Sequence, residues 1–85
     1  MPTVSMFYGS LIRMYYADHN PPHFHAFYNG IEALFTLDGK LLKGDFPKKE
    51  LKLVEAWSII HKNELEANWL LAKNCEHPYD IKPLS

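Results

Sequence analysis

Short apolar runs separated by turn residues dominate the first half of the chain. The runs span residues 4–8, 11–16, 23–28 and 31–37. Their length and their content of aromatic and branched residues are typical of β-strands, and the pairs Gly9-Ser10 and Asn29-Gly30 between them are typical of two-residue hairpin turns. Residues 40–43, after Asp38-Gly39, continue the pattern as an edge strand. We therefore expect an antiparallel meander of four or five strands over about residues 3–43.

The Asn29-Gly30 turn also predicts which side chains share a face. A type I′ turn at this pair places Phe24 opposite Phe35, and both are apolar enough to line a core. Side chains alternate along a strand, so His23 and His25 are expected together on the opposite face, open to solvent.

The other two turns give weaker register predictions. A turn at Gly9-Ser10 pairs Phe7 with Ile12 on the core side and leaves Arg13 on the outer face. A turn at Asp38-Gly39 brings Leu42 opposite Phe35.

Helical spacing replaces strand alternation after Pro47, a residue favoured in a first helical turn. Asn63 and Glu66 resemble a capping box, which predicts a second helix over Glu64 to Lys73. One kinked helix is the alternative. The helices, over about residues 47–74, are expected to cover one face of the sheet. The apolar residues expected at that contact are Trp57, Ile60, Leu65 and Trp69, with Leu53 and Ala56 on the same stripe. Residues 75–85 are expected to form an extended tail.

Composition limits the class of protein. Eighty-five residues predict a single α+β domain, and a hydrophobic content of 47% exceeds what a small monomer needs, so we expect a homodimer or a small protein partner. Cys75 is the single cysteine, which favours a reducing, cytoplasmic location, and no apolar run is long enough for a membrane span. The net charge of -1 without a basic stripe argues against duplex DNA and leaves a compact RNA site open.

Residues 18–25, with the sequence DHNPPHFH, concentrate the chemistry of the chain. One hypothesis is a divalent metal such as Zn²⁺ bound by His19, His23 and His25, with Asp18 as a fourth ligand or as a residue that orients a ligand, in a metal-dependent hydrolase. A second is metal-free cleavage of RNA by His23 and His25 with Arg13 as the cation and Asp18 beside them. A third is a non-catalytic protein- or nucleic-acid-binding, regulatory module in which the histidines only donate hydrogen bonds.

The same residues carry a family resemblance. The opening Pro2-Thr3-Val4, the residues Phe7-Tyr8-Gly9 and the stretch 12–15, which runs into DHNPPHFH, resemble short prokaryotic proteins of domain-of-unknown-function family four-one-six-zero. The likeness continues through Gly44, Pro47, Trp57, Glu64-Leu65 and Asn68-Trp69.

That resemblance implies a function only by analogy, because the family has no assigned reaction. Its members are often encoded beside another small domain of unknown function, an arrangement similar to toxin–antitoxin gene pairs. The resemblance therefore implies a toxin-like member of a two-gene module, neutralised by a small protein partner encoded nearby and acting through the histidine-rich face, with RNA as one candidate target.

Overall fold

The computed structural model describes residues 2–85, which form a five-stranded antiparallel sheet followed by two helices. The strands are β1 Thr3–Phe7, β2 Ser10–Arg13, β3 His23–Tyr28, β4 Ile31–Thr36 and β5 Leu41–Lys43, and the helices are α1 Lys48–Ile60 and α2 Lys62–Lys73. The strands lie in the sheet in chain order, β1-β2-β3-β4-β5. The α+β meander expected from the sequence is confirmed, and the helical segment is two helices.

The β3–β4 hairpin has the register predicted from its turn. Asn29 and Gly30 both have positive φ, 48° and 77°, as a type I′ turn requires. Phe24 pairs with Phe35, and both are fully buried. The expected core face of this hairpin is therefore confirmed.

The β1–β2 hairpin differs from its predicted register. Its turn is Tyr8-Gly9, with φ values of 47° and 83°, so Phe7 pairs with Ser10 and not with Ile12. Glycine occupies the second position of this turn, as it does in the β3–β4 turn, whereas the prediction placed it first. The observed pairing differs from the predicted one by an even number of residues, so each side chain still lies on its predicted face of the sheet. Phe7 and Ile12 are therefore both buried.

The edge strand β5 is also displaced from its predicted register. Leu41, not Leu42, pairs with Phe35, and an irregularity in the ladder separates this pair from that of Leu34 with Lys43. Gly39 in the preceding turn has a φ of 84°, and a Cβ there would lie 2.7 Å from the Glu55 Cα of α1. Glycine thus allows the turn and the helix to approach closely.

Trp57 of α1 lies at the centre of the core and is fully buried. Its ring centroid lies 5.2 Å from that of Phe7 and 5.7 Å from that of Phe24, so one indole contacts strands from both hairpins. The indole N–H donates a hydrogen bond to the Lys82 carbonyl at 2.9 Å, which satisfies its polar group.

The buried stripe of α1 is rotated from the one predicted. Glu50, Val54, Trp57 and Ser58 are buried in α1, whereas Ile60 is 63% exposed and Ala56 is also exposed. Ile60 is the last residue of α1, where the chain turns into α2 and leaves the sheet. The predicted contacts of Trp57, Leu65 and Trp69 are correct, and that of Ile60 is wrong.

The start of α2 also corrects the sequence prediction. The helix begins at Lys62 with His61 as its N-terminal cap residue, so Asn63 lies inside the first turn and does not cap it. The His61 side chain instead contacts the carboxylate of Glu64.

The last eleven residues, 75–85, contain no regular secondary structure, as expected, but they are bound to the fold. The Asn68 side chain, which is 2% exposed, donates to the Tyr79 carbonyl at 2.8 Å and accepts from the Tyr79 N–H at 2.9 Å. The Ile81 N–H donates to the Val4 carbonyl of β1 at 2.7 Å. The segment therefore connects α2 with the β1 edge of the sheet.

Within residues 2–85, neither helix has the length and apolarity needed to cross a membrane.

The helix faces can be tested with a pair of substitutions in α1. Trp57→Ala removes a fully buried indole and should reduce the free energy of unfolding by about 3–5 kcal/mol, whereas Ile60→Ala on the exposed side should change it by less than about 0.5 kcal/mol. Urea denaturation followed by circular dichroism measures both. Similar losses in the two variants would show that the face assignment is wrong.

The attachment of the tail can be tested at Asn68. Asn68→Ala leaves the Tyr79 N–H and carbonyl without their side-chain partners and should cost about 1–3 kcal/mol of unfolding free energy. The matched control is Asn63→Ala, on the same helix but exposed, which should have little effect on thermal denaturation. Equal melting temperatures for the two variants would mean that the contact between Asn68 and Tyr79 does not stabilise the fold.

Candidate functional site

The loop between β2 and β3, residues 14–22, delivers Asp18 to the start of β3. Its backbone is fixed against α2 by a hydrogen bond from the Ala17 N–H to the Ala72 carbonyl at 2.9 Å. Ala17 has a φ of 52°, an uncommon value for a residue with a Cβ. The Asn20-Pro21 peptide bond in the same loop is cis.

Asp18, His23 and His25 form a compact cluster, which we call the His-Asp cluster. The Asp18 Oδ2 atom lies 2.9 Å from Nε2 of His23 and 3.1 Å from Nε2 of His25. The two rings are 5.2 Å apart between centroids. One ligand atom from each of the three residues lies within 4.8 Å of the others, so the three side chains point to a common centre.

The second nitrogen of each imidazole is held by an oxygen atom outside the cluster. Nδ1 of His23 lies 2.7 Å from the Pro21 carbonyl oxygen, and Nδ1 of His25 lies 2.9 Å from Oε2 of Glu32. A carbonyl oxygen only accepts hydrogen bonds, so Nδ1 of His23 is the donor. Both rings are thereby fixed with Nε2 toward Asp18.

These contacts leave a shortage of positive charge at the centre of the cluster. A neutral imidazole carries one N–H, and His23 uses it on Pro21, so its Nε2 presents a lone pair to the Asp18 carboxylate. Two lone pairs at hydrogen-bond distance repel each other. A cation is needed between them, either a second proton on the ring or a metal ion.

His25 has the same requirement. Its two nitrogens face the carboxylates of Asp18 and Glu32, and a single N–H satisfies only one of them. The donor set therefore suits a metal ion, which takes neutral imidazole nitrogens and a carboxylate oxygen as ligands.

Asp18 itself is kept ionised by its neighbours. Burial acts to raise the pKa of the carboxyl group, but the hydrogen bond with His25, the N–H of His19 and the charges of His23 and His25 outweigh it, and the pKa lies below its ordinary value. An ionised carboxylate is the form that binds a metal ion.

The expectation that both imidazoles are open to solvent is wrong for His23. Alternation along β3 puts the two histidines on the face opposite Phe24, as predicted, but His23 is only 5% exposed. Its ring packs against Trp69 of α2 at 5.4 Å between centroids, because the first position of β3 lies beside that helix. The His25 ring is in edge contact with Tyr15 at 4.4 Å and is partly exposed.

Arg13 and His19, the other predicted site residues, lie outside the His-Asp cluster. Arg13 is directly opposite His25 in the β2–β3 ladder, so the adjacency of the two hairpins that the RNA-cleavage hypothesis assumed is present. His19 is exposed and contributes its backbone N–H to Asp18 at 2.9 Å, so it lies outside the group of converging ligand atoms. Asp18 takes the place that the sequence hypothesis gave to His19.

Two residues of the site were missed from the sequence. Glu32 orients His25, and the register of the Asn29-Gly30 turn could have revealed it, since it places Glu32 diagonally across from His25 on the same face. Trp69 covers His23, and no local pattern indicates this because the contact joins α2 to the start of β3.

The comparisons with known proteins bear on the family but not on the chemistry. The family model of a domain of unknown function, DUF4160, matches residues 9–70, which include the His-Asp cluster, four of the five strands and most of both helices. No curated protein and no solved structure matches the chain. The match covers well over half of the sequence, and the chain belongs to the DUF4160 family.

Proposed function

We propose that the His-Asp cluster binds one divalent metal ion, with Zn²⁺ as the first candidate, and that the chain is a metal-dependent hydrolase. The observation that supports this proposal is the convergence of two Nε2 atoms and one carboxylate oxygen, with each remaining imidazole nitrogen held by an oxygen acceptor. Histidine ligands of metal ions characteristically have such a partner on their second nitrogen, because it fixes the tautomer and the ring orientation.

Two of the three ligand separations are close to those of a metal site. Two ligands about 2.1 Å from a tetrahedral ion lie about 3.4 Å apart, and the Nε2 atoms lie 2.9 Å and 3.1 Å from Oδ2 of Asp18. All three ligand atoms lie within 4.8 Å of one another, and the side chains would adjust around a bound ion.

A metal site with three protein ligands is more typical of a catalytic zinc site than of a structural one. Structural zinc sites have four protein ligands, whereas hydrolytic sites with two histidines and a carboxylate leave the fourth position to water. When held by Asp18, His23 and His25, a divalent ion would supply Lewis-acid activation of water and polarise the bond under attack. Hydrolysis at this site would join the water oxygen to the electrophilic atom, break the bond to the leaving group and pass the proton from water to the leaving group.

The residues around the cluster have separate tasks. Pro21 and Glu32 hold the imidazoles in position, Trp69 excludes water from the His23 side, and the partly exposed His25 lies on the side from which substrate can approach.

Metal binding gives the direct test. Equilibrium dialysis with Zn²⁺ should show one ion per chain, and free ion at 100 times its Kd should increase the free energy of unfolding by about 2.7 kcal/mol. Asp18→Asn, which keeps the size of the side chain, and His25→Ala should abolish the binding and the stabilisation. His19→Ala, in the same loop but outside the cluster, should retain both.

Two results would contradict this proposal. One is a chain that binds no divalent ion, which would mean that protons supply the positive charge. The other is binding that survives Asp18→Asn and His25→Ala, which would place the ion elsewhere.

A second candidate function is the toxin-like member of a two-gene module, restrained by a small protein partner. We propose it on the apolar surface, since Met6, Ile59, Ile60 and Leu70 are each 61% to 65% exposed. Ile59 and Ile60 at the end of α1 and Leu70 in α2 are apolar side chains that a protein partner would bury. The two proposals are compatible, since a hydrolase can be the harmful activity that a partner restrains.

Co-expression tests this second candidate. The product of the neighbouring open reading frame should co-purify with the chain, and expression of the chain alone should slow growth of the host in a manner that Asp18→Asn relieves. Ile59→Lys tests the exposed apolar residues separately. It should weaken co-purification without altering the His-Asp cluster. Normal growth together with no co-purification would show that the chain is not part of such a module.

A further inference from the structure

A row of aligned side chains crosses the outer face of the sheet through the His-Asp cluster. Arg13 of β2 pairs with His25 of β3, His25 pairs with Leu34 of β4, and Leu34 pairs with Lys43 of β5. Directly paired residues project from the same face of a sheet. The row therefore has a cation on each side of His25, one strand away at Arg13 and two strands away at Lys43.

Arg13 has an unused hydrogen-bond donor. Its guanidinium carbon lies 5.1 Å from the centre of the Phe27 ring, which holds the group against the sheet. Its Nε atom is buried and has no hydrogen-bond partner among residues 2–85, and Arg13 forms no ion pair there. Arginine carries five N–H donors, so the guanidinium group of Arg13 has donors that no ion pair among residues 2–85 occupies.

Lys43 lies on the other side of the cluster. Together with Gly44 it borders an open depression whose floor includes His25, Glu32 and Leu34. Lys43 is exposed and forms no ion pair within the described part of the chain. Its ammonium group is thus available at the place where His25 reaches the surface.

The balance of charge around the row depends on the metal ion. Arg13 and Lys43 are cations, and Asp18 and Glu32 are anions that already contact the histidines. These four charges cancel in the absence of a metal ion, whereas a divalent ion makes the site positive. An excess of positive charge attracts anions such as phosphate groups.

We propose that the substrate bound along this row is a phosphodiester, an inference that rests on the proposed metal-dependent hydrolase. Arginine matches the geometry of a phosphate group with several donors, and a metal ion with flanking cations is the arrangement that stabilises charge on a phosphoryl group during transfer. In the reaction the water oxygen bonds to phosphorus, one P–O ester bond breaks, and the leaving alkoxide or aryloxide takes the proton from water.

The test compares a charged with a neutral substrate in the Zn²⁺-loaded protein. The probes are bis(4-nitrophenyl) phosphate and 4-nitrophenyl acetate, which release the same chromophore. The ratio of kcat/KM for the phosphodiester to that for the acetate should fall about tenfold in Arg13→Gln and in Lys43→Gln, chiefly through KM. Lys52→Gln, an exposed lysine of α1, should leave the ratio unchanged.

The outcomes separate this inference from the function on which it depends. A chain that binds no metal, or that hydrolyses neither probe when loaded, removes the proposed hydrolase itself. Metal-dependent hydrolysis with an unchanged ratio in both variants retains the hydrolase and overturns the phosphodiester. A lower ratio of kcat/KM values in Arg13→Gln and in Lys43→Gln supports the inference. The same assay on single-stranded RNA and single-stranded DNA then identifies which nucleic acid supplies the diester.

Discussion

The type I′ turn at Asn29-Gly30 sets the register of β3 against β4, and both the core and the candidate site depend on that register. Because side chains alternate along a strand, the register that buries Phe24 and Phe35 also places His25 and Glu32 on the opposite face. A slip of one residue would turn the phenylalanines to solvent and the histidine toward the helices. The packing free energy of the aromatic core therefore also holds the polar cluster in place.

Asp18 supplies the second constraint, since one carboxylate oxygen contacts both imidazoles. This contact holds the loop between β2 and β3 against the first residues of β3. The hydrogen bond from the Ala17 N–H to the Ala72 carbonyl holds the same loop against α2. Each nitrogen of the two imidazoles lies within hydrogen-bond distance of an oxygen atom, which fixes the orientation of both rings. The geometry is thus set before any ligand arrives, which lowers the reorganisation needed to bind an ion.

The two faces of the sheet differ in role, since one packs against the helices to form the core and the other carries the proposed site. On one face of the sheet, Trp57 joins the two hairpins through Phe7 and Phe24 and leaves little freedom in the core. On the other face, Arg13 and Lys43 lie in one row on either side of His25, and Lys43 is exposed. The proposed hydrolase and its phosphodiester substrate follow from this asymmetry, because a metal ion at His25 would lie between two groups that attract phosphate.

The sequence alone determined the features that depend on local backbone geometry and residue spacing. It predicted the meander, the β3–β4 register and the helical segment, because turn type and strand alternation are short-range effects. It also pointed to residues 18–25, three of which, Asp18, His23 and His25, converge in the structure. The tertiary structure decided what depends on distant contacts: Ile60 is exposed and His23 is covered by Trp69, since the packing of the helices on the sheet sets both. The tertiary structure also decided that Asp18, and not His19, lies in the cluster. The direction of a loop side chain depends on the distant groups that hold the loop in place.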